Sequence, residues 1–205
     1  PGHSTCRKRI APAASQNSPP RIASRVGRRN PISRTEQRPR DLRPAGADQA
    51  RNPLPVAVKD ATGTGFLTGA TAVAAGLWHS LALRSDGTVW TWGFNSFGQL
   101  GNGTTSSSLN PVQVCTTCSG TVAYLSGITA ISAGAYFTMA LKSDGTVWGW
   151  GLNYYGQLGS GDTWNIRPAA VQVKDSAGSG YLTDIIAIAA GSEHSLALKS
   201  DGMVW

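Results

Sequence analysis

Histidine, serine and aspartate, the residue types of a hydrolase triad, occur together twice in this 205-residue chain. His79 is followed directly by Ser80, and Asp86 comes seven residues after the histidine. The same spacing recurs further along, in His194, Ser195 and Asp201. These residues could carry out acyl transfer if the fold joined one serine, one histidine and one aspartate in a single hydrogen-bonded array.

The repetition of this pattern argues against catalysis. A catalytic site needs one asymmetric constellation, whereas these residue types return at the same position of a repeated sequence. We therefore predict that the histidines and serines are strand or packing positions, that the aspartates form turns, and that the chain is not an enzyme. No cofactor is expected, because the chain lacks a GxxxxGK[ST] phosphate loop and residues 63–69 lack the spacing of a dinucleotide loop.

Metal sites are also not predicted. A structural zinc site at Cys115 and Cys118 would need two further ligands, and the available histidines belong to repeat positions. A redox function for this pair is disfavoured, because the surrounding sequence predicts strands and turns rather than a helix start. Two states remain open for Cys115 and Cys118, a local disulfide and two free thiols in a loop. The DxxGxG segments at residues 60–65 and 175–180 hold one carboxylate each, too few for calcium, and are predicted to be glycine turns.

One sequence occurs three times in the chain, and its copies contain the histidines, serines and aspartates considered above. They occupy residues 75–103, 133–161 and 190–205, at spacings of 58 and 57 residues. The first two copies agree at 18 of 29 positions, and the third agrees with the first at 12 of 16. Residues 58–67 return as 173–182, so the unit is nearly sixty residues long. A fixed period of this length predicts a repeat architecture.

Each unit contains four short runs typical of β-strands, which in the first unit are residues 55–59, 71–75, 79–84 and 88–93. The small, apolar second run predicts a strand packed on both faces near a central channel. A Ser-Asp-Gly turn joins the last two runs, and glycine there can adopt positive φ at no steric cost. Four strands per unit predict an all-β fold made of propeller blades. We place the units at residues 53–110, 111–168 and 169–205.

The repeated pattern AGxxHSLALKSDGTVWxWGxNxxGQLGxG resembles the repeat of the regulator of chromosome condensation family. The resemblance covers all three units and implies a seven-bladed propeller of four-stranded blades. Phe137 stands in place of the motif histidine, Met203 in place of its threonine, and the second unit has two extra residues around Cys115.

The repeats amount to about two and a half blades, whereas propellers close with about four to eight. We therefore expect the chain to be a fragment of a longer protein. Open blade edges invite association, so a fragment of residues 53–205 is expected to be oligomeric or aggregated.

Residues 1–52 differ from the repeats. They contain no aromatic residue and carry 12 Lys and Arg against 3 Asp and Glu, which predicts a disordered basic tail rich in arginine and proline. The repeats carry 6 against 8, so the net charge of +7 comes from this tail. Specific nucleic-acid binding is not expected, because a flexible basic arm supports only non-specific phosphate contacts. No run of residues is long and apolar enough to span a membrane.

The sequence varies most just before and after the repeated strands, and these variable positions are rich in aromatic residues. Since Trp and Tyr anchor interfaces, we predict a protein-binding face. Its candidate residues are Trp78, Phe97, Tyr136, Tyr154, Tyr155 and Trp164. The resemblance implies two functions: a protein-binding propeller, secreted or on a cell surface, and alternatively a guanine-nucleotide exchange factor for a small GTPase. The partner's identity is left open.

Overall fold

The computed structural model describes residues 54–205, which form twelve β-strands. The first four-stranded sheet contains β1 Ala70–Ala75, β2 His79–Arg84, β3 Val89–Gly93 and β4 Ser108–Gln113. The second contains β7 Ile128–Ala133, β8 Phe137–Lys142, β9 Val147–Leu152 and β10 Ile166–Gln172. Two further pairs are β5 Cys115–Thr117 with β6 Ala123–Tyr124, and β11 Ile185–Ala190 with β12 Ser195–Lys199. No helix able to cross a membrane occurs in this part of the chain.

Each four-stranded sheet is an antiparallel meander whose strand order follows the chain, β1-β2-β3-β4 and β7-β8-β9-β10. This is the arrangement of a propeller blade, so the predicted all-β fold class is confirmed. We call these sheets blade 1 and blade 2, and the pair β11 and β12 the third sheet. The tail predicted at residues 1–52 lies outside the described residues, and the unit boundaries stay a prediction.

Three of the four predicted strands of the first unit are confirmed as β1, β2 and β3. The prediction at residues 55–59 is wrong, because only Lys59 pairs there, in an isolated bridge with Phe66. The corresponding sequence after the GQLG loop is β4, which completes blade 1 by pairing with β3. Residues 55–59 form no ladder of this kind among residues 54–205, and an isolated bridge does not make a strand.

The apolar core lies between the sheets. One buried cluster joins blade 1 to blade 2, and its members include Leu81, Val89, Leu125, Ile128 and Trp150. A second joins blade 2 to the third sheet, and its members include Phe137, Met139, Leu158, Leu182 and Ala197. Each blade is therefore stabilised by burying its faces against its neighbours rather than by a core of its own.

The first strands of the three sheets, β1, β7 and β11, are the inner strands, and they are less buried than the sequence predicts. β7 contacts β1 on one side and β11 on the other, and most of its residues are half-buried. β1 is mostly exposed, with Val73 at 76% of its full exposure. The prediction of a strand packed on both faces is therefore wrong for β1, most of whose residues are exposed and which packs against β7.

The repeated Ala-Gly at the end of each inner strand is explained by a ring that packs over the glycine. A β-carbon on Gly76 would collide with the His79 imidazole, and one on Gly134 would collide with the Phe137 ring. Gly191 has the same relation to His194. The pattern AGxxH is thus a packing unit in which only glycine leaves room for the ring three residues later.

The Ser-Asp-Gly turns form as predicted. The Asp86 carboxylate accepts hydrogen bonds from the Thr88 amide at 3.0 Å and its hydroxyl at 2.6 Å. Asp144 and Thr146 repeat both contacts, at 3.1 and 2.6 Å. Hydrogen bonding to the threonine hydroxyl is the main cause that lowers the pKa of both carboxyls, that of Asp144 to about 2. These aspartates hold turns closed by local side-chain hydrogen bonds.

The hairpins that join the units use two different chemistries. At residues 60–65 the Asp60 carboxylate accepts bonds from Thr62, and a β-carbon on Gly65 would collide with it, so the segment is the predicted glycine turn. In the second unit the structure joins Cys115 and Cys118 in a disulfide, the first of the two states that the sequence leaves open.

Candidate protein-binding face

The loops of the blades divide between two faces. An antiparallel meander places its first and third connections at one end of the sheet and its second at the other. We call the first end the upper face, formed by residues 76–78, 94–107, 134–136, 153–165 and 191–194, and the opposite end, which carries the hairpins between the units, the lower face. The sheets share this orientation, because the amide of Leu77 donates to Ala135 O at 3.1 Å and that of Ala135 to Ser192 O at 3.0 Å.

All six candidate aromatic residues lie in upper-face loops, although their sequence positions extend over 87 residues, from Trp78 to Trp164. Their role in binding a partner stays a prediction. The structure divides them into an inter-blade cluster and an exposed group.

The inter-blade cluster consists of Phe94, Phe97 and Tyr136. The Phe97 and Tyr136 rings meet edge to face with centroids 5.0 Å apart, and Phe94 is 6.0 Å from Phe97 and 6.3 Å from Tyr136. All three side chains are half-buried. Edge-to-face pairs of this kind contribute about 0.5–1.5 kcal/mol beyond the area they bury. The cluster therefore closes the first junction, between blade 1 and blade 2.

The exposed group consists of Trp78, Tyr154, Tyr155 and Trp164. Tyr155 is 66% exposed and Trp164 is 77% exposed. The Tyr154 and Trp164 rings stack at 6.3 Å with an interplanar angle of 28°. Trp164 has a φ of 61°, a left-handed conformation that is rare for a bulky residue. Strained backbone of this kind is found preferentially at functional sites.

A buried asparagine fixes each long upper-face loop. The Asn153 amide nitrogen donates to Ser160 Oγ, to the Asp162 carbonyl oxygen and to Asn165 Oδ1, at 3.1, 2.8 and 3.0 Å. Its side-chain oxygen accepts from the Leu158 amide at 3.1 Å. Asp162 in turn pairs with the Arg167 guanidinium. The loop that carries Tyr154, Tyr155 and Trp164 is thus held from inside by polar contacts.

Asn95 does the same in blade 1 and, like Asn153, has no exposed surface. Sequence reasoning missed both residues as determinants of the face. The available signal was that the asparagine is identical in both copies, whereas Ser96 and Phe97 after it become Tyr154 and Tyr155.

The residues that resemble a triad lie apart. His79 is 3% exposed, and its Nε2 is 3.0 Å from the Thr138 hydroxyl of blade 2. Thr138 donates to Gln99 O at 3.4 Å, so the imidazole Nε2 donates to the threonine oxygen. Burial lowers the pKa of His79 to about 4. Asp86 accepts a hydrogen bond from the Thr88 hydroxyl, and it lies past Arg84, at the end of β2 opposite to His79. These positions confirm the predicted packing role of His79.

Comparison with known proteins identifies the repeat. Residues 86–141 and 144–198 match the model of the Regulator of chromosome condensation (RCC1) repeat. A second model with the same description matches residues 70–99 and 128–157.

Three curated proteins illustrate the similarity. Human probable E3 ubiquitin-protein ligase HERC3 is 37% identical over 65% of this chain and 12% of its own length. Protein pim1 of Schizosaccharomyces pombe is 33% identical over 77% of this chain and 29% of its own length. The Ultraviolet-B receptor UVR8 of Arabidopsis thaliana is 31% identical over 65% and 28%. The chain therefore spans less than a third of the length of these relatives.

Two solved structures have a similar fold. Human WBSCR16 superposes with a TM-score of 0.55 at 25% identity, over 66% of this chain and 32% of that one. Yeast RCC1 (Prp20), solved bound to Kap60, superposes with a TM-score of 0.52 at 22% identity, over 67% and 32%. The second likeness concerns the fold alone.

Proposed function

The chain belongs to the Regulator of chromosome condensation (RCC1) repeat family, and from this premise we propose that its blades are a non-enzymatic scaffold that binds a protein partner through the upper face. The observation that carries the proposal is the exposed group of upper-face aromatic residues. Tyr154, Tyr155 and Trp164 expose 40%, 66% and 77% of their surfaces within one ordered loop.

A protein partner suits this loop for a physical reason. Large aromatic side chains that are already held by an ordered loop lose little conformational entropy on binding and bury a large area. The glycines and the loop asparagine beneath these rings are the same in both blades, whereas the exposed loop residues differ. This is expected if the shared residues position the loops and the variable residues determine which partner binds. We assign Phe97 and Tyr136 mainly to blade packing, and the exposed group to partner binding.

Protein binding is compatible with this fold, because the solved yeast RCC1 (Prp20) is in complex with Kap60. The matched segment covers only 12% of the ligase named among the relatives. Ligase activity is therefore not proposed for these repeats.

Selection from a library of random 12-residue peptides tests the proposal. The full 205-residue chain is immobilised, selected peptides are synthesised, and their affinities are measured by biolayer interferometry. We expect Tyr155→Ala and Trp164→Ala each to weaken the selected peptides several-fold. Tyr124→Ala is the matched control, since Tyr124 is 53% exposed and lies on the hairpin at the lower face. Equal affinities for all these variants would contradict the proposal.

Nucleotide exchange on a small GTPase is the alternative that the family raises. It is a separate proposal with a separate readout: the rate at which a labelled guanine nucleotide leaves a panel of small GTPases, with and without the chain. A rate increased by the chain and abolished by upper-face substitutions would favour exchange over simple binding.

A further inference from the structure

Every lysine and arginine in residues 54–205 is engaged within the chain. Four of the six form ion pairs: Arg84 with Asp86, Lys142 with Asp144, Arg167 with Asp162, and Lys199 with Asp184 and Asp201. The other two lie over aromatic rings, Lys59 at 4.5 Å from the Phe66 centroid and Lys174 at 4.3 Å from the Tyr181 centroid. Four of the six positive charges in this part of the chain are therefore compensated by carboxylates, and the other two are held against aromatic rings.

Glu193 differs from the other acidic residue of the upper face in having no ion-pair partner among the described residues. It is exposed, and within the described residues its carboxylate has neither an ion pair nor a hydrogen bond. The other upper-face acid, Asp162, is neutralised by Arg167. The upper face thus combines exposed aromatic rings with one uncompensated negative charge.

The repeat gives Glu193 the position that, at the first junction, faces the aromatic loop of the preceding blade. Glu193 corresponds to Tyr136, and Tyr155 corresponds to Phe97, whose ring is 5.0 Å from that of Tyr136. The second junction, between blade 2 and the third sheet, keeps the backbone arrangement of the first. Ser195 Oγ donates to Gln157 O at 2.7 Å, as Thr138 Oγ1 donates to Gln99 O at 3.4 Å. The second junction has a carboxylate where the first has a ring that closes the cluster.

We propose that Tyr154, Tyr155, Trp164 and Glu193 form a recognition site for a lysine or arginine side chain on a protein partner. A cation is attracted to the faces of electron-rich rings, and the free carboxylate adds its charge. The two lower-face pairs between lysine and an aromatic ring use the same attraction within the chain. This inference rests on the proposed protein-binding function and specifies the chemistry of the partner.

Fluorescence anisotropy with two labelled peptides tests the site on the full 205-residue chain. The first peptide is GSGRLRGSG, and in the second both arginines are replaced by citrulline, which keeps the shape and removes the charge. We expect the arginine peptide to bind at least about 5-fold more tightly. Glu193→Gln and Trp164→Leu should each reduce that preference by about 3-fold. Glu193→Tyr, which copies the first junction, should abolish it.

Equal affinity for the two peptides, no binding of either at 5 mM, or a preference that Glu193→Gln leaves unchanged would overturn the inference. Glu193→Gln changes one exposed polar group, so it stays informative if Trp164→Leu reduces folding. The two proposals fail differently. If library peptides bind through Tyr155 and Trp164 but contain no lysine or arginine, cation recognition is wrong and protein binding stands. If upper-face substitutions affect no peptide at all, both proposals are wrong.

Discussion

The two junctions between sheets use one backbone arrangement with different side chains. The first junction is closed by the Phe94, Phe97 and Tyr136 rings above and by the buried His79 and Trp150 below. The second has Phe137 in place of His79 and Glu193 in place of Tyr136. Glycines, turns and loop asparagines therefore set how the sheets meet, while a few variable positions decide whether the upper surface is closed by packed rings or left exposed.

The largest loss of stability is expected for Trp150→Ala, at the first junction. The Trp150 indole has no exposed surface, and its Nε1 donates to Gln99 O of blade 1 at 2.9 Å. Truncation should lower the free energy of unfolding by about 3–5 kcal/mol, measured by urea denaturation. Trp92 occupies the same repeat position in blade 1 but is only half-buried, so Trp92→Ala should cost clearly less. Equal losses would mean that the first junction is not closed by the indole.

Acidification should weaken the first junction more than the second. The pKa of His79 is lowered by burial from 6.5 to about 4, so the unfolded chain binds a proton that the folded chain excludes. Stability should therefore fall as the pH decreases from about 6.5 to 4, by about 3 kcal/mol in total.

Replacing His79 by Phe, the residue of the second junction, separates this effect from others. His79→Phe should flatten the stability of the chain between pH 6.5 and 4, as followed by urea denaturation at several pH values. The Asp86 and Asp144 carboxyls have lowered pKa values, so their contribution is lost only below about pH 4. An unchanged slope in His79→Phe would assign the pH dependence to another group.

Loss of a loop asparagine should have an intermediate effect. Asn153→Ala leaves the buried Leu158 amide without its acceptor and should cost about 1–3 kcal/mol. Because the same asparagine orders the loop of Tyr155 and Trp164, peptide binding at the upper face should weaken as well. Asn95→Ala is the matched variant in blade 1, with a similar stability loss and intact peptide binding. If both variants bind equally well, the order of the blade 2 loop does not matter for recognition.

The smallest stability effects are expected for the exposed rings. Tyr154→Ala and Tyr155→Ala should change the free energy of unfolding by less than about 0.5 kcal/mol while weakening partner binding. Phe97→Ala and Tyr136→Ala should cost more, because they remove the rings that close the first junction. Thermal denaturation followed by circular dichroism compares all four. A large loss of stability in Tyr155→Ala would assign that residue to packing.

Local rules were enough to predict much of the fold. Three strands of the first unit, the Asp86 and Asp144 turns and the glycine turn at residues 60–65 follow from strand patterns and turn chemistry within a few neighbouring residues. The outer strand could not be placed in the same way, because the sequence of residues 55–59 closely resembles that of β4. Pairing with β3 makes β4 a strand, and no such neighbour is described for residues 55–59.

The candidate residues could be identified from their type and from their variation between repeats. The sequence could not show which of them pack between blades and which are exposed. Phe97 and Tyr155 occupy the same repeat position, yet Phe97 packs against a ring of the next blade whereas Tyr155 is 66% exposed. Neither local propensity nor hydrophobic pattern distinguishes them, since the neighbour that decides lies on the next sheet, about forty residues away in sequence.

The blade, its turns and its family follow from the repeated sequence, because short-range hydrogen bonding and strand pattern are encoded within each unit. The folded chain was needed to show that the six aromatic candidates share one face, that His79 is buried against Thr138, and that Glu193 holds the position where a ring closes the first junction. These properties depend on contacts between successive sheets, which bring together residues from different repeats.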